Sequence, residues 1–241
     1  MSTDFTPMYH VIEQSLRARV ATMKPHDPLP SESALCTGFA VSRMTARAAM
    51  LRLVADGLAY REPGRGTFVA PPPSQRRADK LLSFSEEMRR EGRAPSARVV
   101  SAGIRSASAA EINRLKLSRG SQVLSICRVR LADDVPVAVE SSLLPPELEA
   151  LLRVDLARES LHTSLMRLGR VPSVGHASVR ACNASPADVA LLSIEPQSAL
   201  LVEERLIVDA DGCPLELTES RYAAGRYRLA VLFSVDHKLS T

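Results

Sequence analysis

Apolar residues recur at helical spacing early in the chain and alternate with polar residues over most of the remainder. The pattern predicts a helix from Met8 to Met23. Ser31 and Ser42 each stand before a further helical pattern as capping residues, so we expect a short helix to Phe39 and a longer one to Ala55. Two β-prone segments, 58–61 and 67–70, flank a glycine-rich turn and predict a hairpin.

The sequence Pro71-Pro72-Pro73-Ser74 predicts a stiff, polyproline-like linker. Beyond it, alternation predicts strands at 97–104, 123–131, 135–143, 174–182, 199–208, 215–222 and 229–235, with short helices at about 83–91, 109–115, 160–168 and 186–192. Segments 114–140 and 190–219 resemble each other faintly, each with a helix end, a strand, an acidic turn and a strand. We therefore expect one antiparallel sheet with small helices, an α+β domain.

The first segment has the order of a winged helix-turn-helix. Arg43 and Arg47 lie four residues apart, on one face of the third helix, where they can approach guanine or phosphate. Arg65 stands between two glycines, as in a wing whose backbone approaches DNA. A solvated basic face is the alternative, but the complete order of connector, two capped helices and wing favours DNA binding. The candidate DNA-binding residues are Ser31, Ser42, Arg43, Thr45, Arg47, Gly64, Arg65 and Gly66.

Composition limits the remaining possibilities. The chain has 241 residues, enough for two modest domains, with 45% hydrophobic residues and a formal net charge of +4 that permits a polyanionic partner. Its four cysteines are far apart in the sequence, so we expect reduced, structural thiols. No apolar run is long enough to span a bilayer and no signal-peptide layout is present, which predicts a cytoplasmic protein. No metal-binding or cofactor-binding motif is found, so neither a metal nor a cofactor is expected.

The first domain resembles the winged helix-turn-helix of the GntR family of bacterial transcription regulators. The family motifs LPSE, VSR-x-T-x-R and G-x-GTFV occur at 29–32, 41–47 and 64–69. The chain departs from the family at His26, where glycine is usual, and at Ala46 and Ala48, where valine and glutamate are common.

The rest of the chain resembles the effector-binding (UTRA) domain of the HutC subfamily, which is related in fold to chorismate lyase. The resemblance lies in segments 83–92, 128–140, 159–169 and 211–222. It implies a small anionic effector that alters DNA affinity, most simply a sugar phosphate such as N-acetylglucosamine 6-phosphate. A phosphonate or another organic anion is the alternative, because His162 stands where sugar-phosphate-responsive members often carry tyrosine. The implied ligand residues are Ser85, Arg128, Arg130, Glu140, Ser160, His162, Glu216 and Tyr222.

The residue pattern also fits an anion site. Arg128 and Arg130 alternate on one strand and share a face, which suits a phosphate. Glu140 joins that face only if the Asp133-Asp134 connection has odd length. Glu216 and Tyr222 share parity on another strand, and Ser85 and Ser160 stand at helix starts. A surface ion-pair ladder across a hairpin is the alternative.

These patterns together predict a winged helix-turn-helix domain at 1–70, a linker at 71–80 and an effector-binding domain at 81–241. We expect an effector-controlled regulator, a repressor, that acts as a homodimer on palindromic double-stranded operator DNA and has no membrane partner. A lyase-like enzyme is disfavoured because no nucleophile–base motif is found. A DNA-binding architectural protein without an effector is the third possibility.

Overall fold

The computed structural model describes residues 7–62, 64–77 and 83–231. Its elements in chain order are α1 (Met8–Val20), α2 (Glu32–Phe39), α3 (Arg43–Ala55), β1 (Ala59–Glu62), β2 (Gly66–Val69), β3 (Ser74–Arg77), α4 (Phe84–Arg90), β4 (Pro95–Ser106), α5 (Ala109–Leu115), β5 (Gln122–Ala132), β6 (Val135–Leu144), a 3-10 helix (Pro146–Arg153), α6 (Leu161–Arg167), β7 (Val174–Asn183), α7 (Pro186–Leu192), β8 (Ala199–Val208), β9 (Pro214–Ala223) and β10 (Tyr227–Ala230). None of the helices in these residues is long and apolar enough to cross a bilayer.

The two predicted helix caps near the amino end are confirmed. The Ser31 hydroxyl accepts from the Ala34 amide at 3.1 Å, and the Ser42 hydroxyl accepts from the Thr45 amide at 3.2 Å. Each cap satisfies an amide that the first helical turn would leave unpaired, which fixes the starts of α2 and α3. Helix α1 ends at Val20, three residues before the predicted Met23.

The three helices pack around one apolar core, and the wing closes over it. Ile12, Leu16, Met50 and Leu53 are each at most 1% exposed. Strands β1 and β2 form the wing as an antiparallel hairpin whose last pair is Glu62 with Gly66. The core therefore fixes the wing and the start of α3 on one rigid unit.

His26 occupies an unusual backbone conformation before α2. Its φ is 71°, in the left-handed region that favours glycine, and its ring Nδ1 lies 2.9 Å from the Tyr60 hydroxyl. The backbone geometry explains why glycine suits this position in related sequences. In this chain the hydrogen bond to Tyr60 offsets part of the strain.

The second half forms one six-stranded antiparallel sheet in the order β4-β5-β6-β9-β8-β7. This order contains two equivalent units, β4-α5-β5-β6 and β7-α7-β8-β9, which meet where β6 pairs with β9. Helices α5 and α7 both begin with a capping box, Ser108 with Glu111 and Ser185 with Asp188. The faint sequence repeat corresponds to these two units, and the predicted α+β class is confirmed.

The region after the three prolines differs from the predicted linker. Residues Ser74–Arg77 form β3, which pairs in parallel with β10 at the end of the second domain. The Ser74 side chain is buried, and its hydroxyl accepts from Arg93 Nη1 at 2.7 Å. Arg93 also donates to Asp133 at 2.8 Å, so the first residue after the prolines is held on the sheet domain.

Candidate DNA interface and ligand pocket

The start of α3 presents basic and apolar side chains to solvent. Arg43 and Arg47 are both exposed, and Met44 between them is 76% exposed. The Thr45 hydroxyl lies 2.9 Å from the Ser42 hydroxyl, so these two predicted phosphate contacts form one polar pair. The exposed face can therefore offer guanidinium groups to base edges and a hydroxyl pair to the backbone.

The wing turn places Arg65 on the surface. Gly64 and Gly66 have φ values of 74° and 127°, conformations that side chains rarely adopt. Arg65 is ion-paired with Glu62, and its guanidinium carbon lies 5.7 Å from the centre of the Phe68 ring. The arginine is thus held at the wing tip, where a phosphate could replace Glu62 as its ion-pair partner.

The predicted DNA-binding residues come together only in part. Ser31, Arg43 and the turn Gly64–Gly66 line one cleft of about 870 Å³. Ser42, which caps α3, and Thr45 and Arg47 in its first turns lie outside the walls of this cleft.

The second candidate site is a polar pocket inside the sheet domain. Arg128 and Arg130 on β5 are 1% and 4% exposed, and both guanidinium groups face the carboxylate of Glu140 on β6. Arg128 pairs with Glu140 across the hairpin, so Glu140 shares their face. The connection has only two residues, Asp133 and Asp134, so the predicted odd length was wrong, and a register shift between Arg130 and Leu131 brings Glu140 to this face instead. Because these groups are buried, the alternative of a surface ion-pair ladder is wrong.

Burial and the close charges set the protonation of this cluster. Burial lowers the pKa of Arg130 to about 10, although Glu140 opposes the shift. Burial would raise the pKa of Glu140, but Arg128 and Arg130 outweigh it and lower that pKa. Arg130 and Glu140 are therefore both charged at neutral pH.

His162 and Glu216 form the opposite wall. The two side chains approach to 3.2 Å, and Glu216 is 2% exposed. Burial would raise the pKa of Glu216, but the nearby His162 ring and the hydrogen bond from Thr218 lower it to about 2. Ser142 also donates to Glu216 at 3.1 Å. This carboxylate is ionised and can accept hydrogen bonds from a ligand.

The remaining predicted ligand residues take different positions. Ser85 lies in the first turn of α4, and its hydroxyl accepts from Arg130 Nη2 at 2.9 Å. Ser160 stands before α6, is 6% exposed, and its hydroxyl has no hydrogen-bond partner among the described residues. Tyr222 stacks on Tyr227 with ring centres 3.8 Å apart, beside the pocket and not in its wall. Ser160 is thus the hydroxyl best placed to bind a ligand.

Arg205 was not among the ligand residues predicted from the sequence. This residue on β8 is 5% exposed and lines the pocket with Arg128, Arg130 and His162. In the sequence repeat, Arg205 aligns with Arg128, and each pairs across its hairpin at the equivalent place, Arg128 with Glu140 and Arg205 with Thr218. The repeat was therefore the signal that would have found it.

The pocket has the charge for an anion but is closed. Its free volume is about 10 Å³, enough for one water molecule. Three arginines and two carboxylates line it, and the buried Glu203 lies 3.7 Å from Arg205, so an added anion would find its positive charge at Arg128 and Arg130, which share Glu140. A metabolite enters only if side chains around α4 or α6 move. Among the described residues no cluster of three His, Cys, Asp or Glu side chains is placed to hold a metal ion.

Two family models cover most of the chain. Residues 8–69 match the gntR family of bacterial regulatory proteins, and residues 90–228 match the UTRA domain. The transcriptional repressor NagR of Bacillus subtilis is 32% identical over 224 residues, which cover 92% of each chain. The histidine utilization repressor of Pseudomonas aeruginosa is 29% identical over 83% of this chain and 81% of that protein.

Solved structures show the same fold. The crystal structure of PhnF from Mycobacterium smegmatis superposes with a TM-score of 0.66 at 23% identity, and covers 93% of this chain and all of that one. The capped helices, the exposed arginines, the wing and the buried polar pocket therefore lie in a known two-part arrangement. The chain belongs to the gntR family of bacterial regulatory proteins, in its HutC subfamily with a UTRA domain, and is a DNA-binding transcriptional repressor.

Proposed function

We propose that the protein releases operator DNA when a small anionic metabolite binds the pocket of the sheet domain. The observation that carries the proposal is the buried pair Arg128 and Arg130, which share one carboxylate partner. Two guanidinium groups on one face match the oxygens of a phosphate, which can replace Glu140 as their partner. Ser160 adds a buried hydroxyl that has no hydrogen-bond partner in the part of the chain that the structure describes.

The preferred effector is a sugar phosphate such as N-acetylglucosamine 6-phosphate. Its phosphate suits the arginine end, and the ionised Glu216 suits the hydroxyl or amide groups of a sugar. A phosphonate or another organic anion is the second candidate, because His162 already occupies Glu216 and can reduce its use for a sugar.

The DNA-binding half of the proposal assigns base contacts to Arg43 and Arg47 and backbone contacts to Ser31, Ser42, Thr45 and the wing turn. The domain division at 1–70, 71–80 and 81–241 belongs to the same proposal. β3 within that linker means that the connection is anchored on the sheet domain from Ser74 onward.

A homodimer completes the proposal, since one module reads only a half-site. The sheet edges carry exposed valines, Val99 on β4 and Val174 and Val179 on β7, and exposed edge strands tend to pair with another chain. Sedimentation of Val179→Lys against Val11→Lys, an exposed valine of α1, tests this surface. We expect only the first to give monomers, and dimers in both would refute the sheet-edge interface.

The effector proposal is tested by fluorescence anisotropy on a duplex selected from a random library. We expect N-acetylglucosamine 6-phosphate to release the wild-type protein, with methylphosphonate and N-acetylglucosamine as comparisons. Ser160→Ala removes a hydroxyl that has no partner, so it should weaken release and leave DNA binding unchanged. Arg114→Ala, an exposed arginine on α5, is the control. If no anion changes DNA affinity, the effector proposal is refuted; if no duplex is preferred over random DNA, the regulator is refuted as well.

A further inference from the structure

The two domains touch through two glycines. Gly57 ends the turn after α3, and Gly225 lies between β9 and β10. A Cβ placed on Gly225 would lie 2.9 Å from the Cα of Gly57, and one placed on Gly57 would lie 2.1 Å from the carbonyl oxygen of Gly225. The two backbones are therefore closer than any other residue type allows.

Arg226, the next residue, ties this contact to helix α7. Its guanidinium donates to the carbonyl oxygens of Leu192 at 2.7 Å and Ser193 at 3.1 Å, and to that of Pro136 at 2.7 Å. Arg226 is only 8% exposed. The turn that seats Gly57 and the segment that ends α7 are thus held as one unit.

That segment faces the DNA-reading surface. Residues Val189, Ala190 and Ser193–Glu195 form one wall of the 870 Å³ cleft, and the opposite wall includes Ser31, Arg43 and the wing turn Gly64–Gly66. A cleft of this volume holds a molecule of drug size. A recognition helix must instead lie inside a major groove about 12 Å wide. A duplex and the α7 segment therefore compete for the same space.

We propose that the contact between Gly57 and Gly225 is an autoinhibitory latch, which holds the part of the DNA-reading surface formed by Arg43 and the wing turn opposite residues 189–195 of the same chain. The latch rests on the proposed DNA binding and lowers the affinity of the protein for DNA. The duplex binds only molecules in which the latch is open, so the apparent Kd for DNA is the intrinsic value divided by the open fraction. Arg226 is the positioning residue, since it fixes the α7 segment relative to the seat of Gly57.

The glycines supply a selective test. Gly225 has no left-handed φ, so alanine fits its own backbone conformation. The atoms nearest the new methyl group are Gly57 Cα at 2.9 Å and Gly57 N at 3.1 Å, followed by the Ala55 carbonyl oxygen at an ordinary contact distance of 3.6 Å. Gly225→Ala should therefore open the latch without disturbing either core. Gly103→Ala on β4 is the matched control, because a Cβ there meets nothing within 4 Å.

Two measurements on the full chain test the latch. One is the Kd for the selected duplex without effector, and the other is the radius of gyration without DNA, measured by small-angle X-ray scattering. We expect Gly225→Ala to bind DNA roughly five- to tenfold more tightly than the wild type and to be more extended. Gly103→Ala should match the wild type in both, and circular dichroism should show all three proteins folded.

The outcomes separate the latch from the proposed function. Equal Kd and equal radius for the two variants would refute the latch while DNA binding stands. Weaker DNA binding by Gly225→Ala would also refute it, because the contact would then support the DNA-bound arrangement. No preference of the wild type for any duplex would refute the proposed function itself, and autoinhibition with it.

Discussion

Glu140→Gln tests whether the arginine pair is an anion site or only a structural ion pair. The carboxylate is the shared partner of Arg128 and Arg130, and all three side chains are at least nine-tenths buried. Removing one partner of a buried ion pair costs about 3–5 kcal/mol, because a buried charge is left uncompensated. The amide oxygen of glutamine still accepts one hydrogen bond, so we expect the lower end, about 3 kcal/mol.

The variant should also gain affinity for anions. In the variant no carboxylate lies between the two arginines, so inorganic phosphate that enters when side chains around α4 or α6 move meets two guanidinium groups without their shared partner. A ligand at one hundred times its Kd stabilises the folded state by about 2.7 kcal/mol. Phosphate should therefore restore most of the stability that the substitution removes.

The assay is thermal unfolding at pH 7 in chloride and in phosphate at equal ionic strength. In chloride we expect the melting temperature of Glu140→Gln to fall by roughly 6–12 °C, at 2–4 °C per kcal/mol for a domain of this size. Glu219→Gln is the control, since this half-exposed carboxylate pairs with Arg180 and Arg221 on β7 and β9 and should contribute less than about 1 kcal/mol. Equal losses for the two variants, or equal phosphate shifts, would refute the anion site.

Four further outcomes follow from the structure. Arg43→Ala should weaken operator binding by about 1–3 kcal/mol in anisotropy titrations if the arginine contacts guanine, and unchanged binding would refute the recognition helix. Arg65→Ala should weaken binding evenly across sequences and lower its salt dependence, which a salt titration measures against the wild type. His26→Gly should leave the urea midpoint nearly unchanged, because relief of a φ of 71° offsets the lost bond to Tyr60, whereas His26→Ala should cost about 1–2 kcal/mol; equal losses would contradict the strain. The pKa of Glu216 in the folded state is about 2, below its ordinary value of 4.5, so the ionised side chain stabilises the fold above pH 4.5 and this stabilisation is lost as the pH falls toward 2. Glu216→Gln should therefore lose less stability between pH 6 and pH 3 than the wild type, as measured by unfolding at each pH. Parallel losses in the two proteins would contradict this assignment.

Local chemistry made much of the fold predictable. Ser31 and Ser42 were identified as caps because a hydroxyl before a helical pattern satisfies amides within three residues. Strands such as β8 were found to the residue, since alternation depends only on neighbouring positions. Strand β3 was not predicted, because it forms by parallel pairing with β10 at the far end of the chain and by burial of Ser74 beside Arg93.

The pocket shows where such prediction ends. Alternation places Arg128, Arg130 and Glu140 on one face of a hairpin, but an exposed ladder and a buried site have the same alternation. The packing of α4 and α6 over that face distinguishes the two, because it buries the arginines and Glu140 and so favours an anion site over an exposed ladder. The two hairpins of the repeat differ at one of these positions. The second hairpin carries Arg205 at the position of Arg128 but Thr218 at the position of Glu140. Because a hydroxyl replaces the carboxylate there, Arg205 pairs within its own strand, with Glu203 at 3.7 Å, whereas Arg128 and Arg130 share the single carboxylate of Glu140 and are the pair that an anionic effector would neutralise.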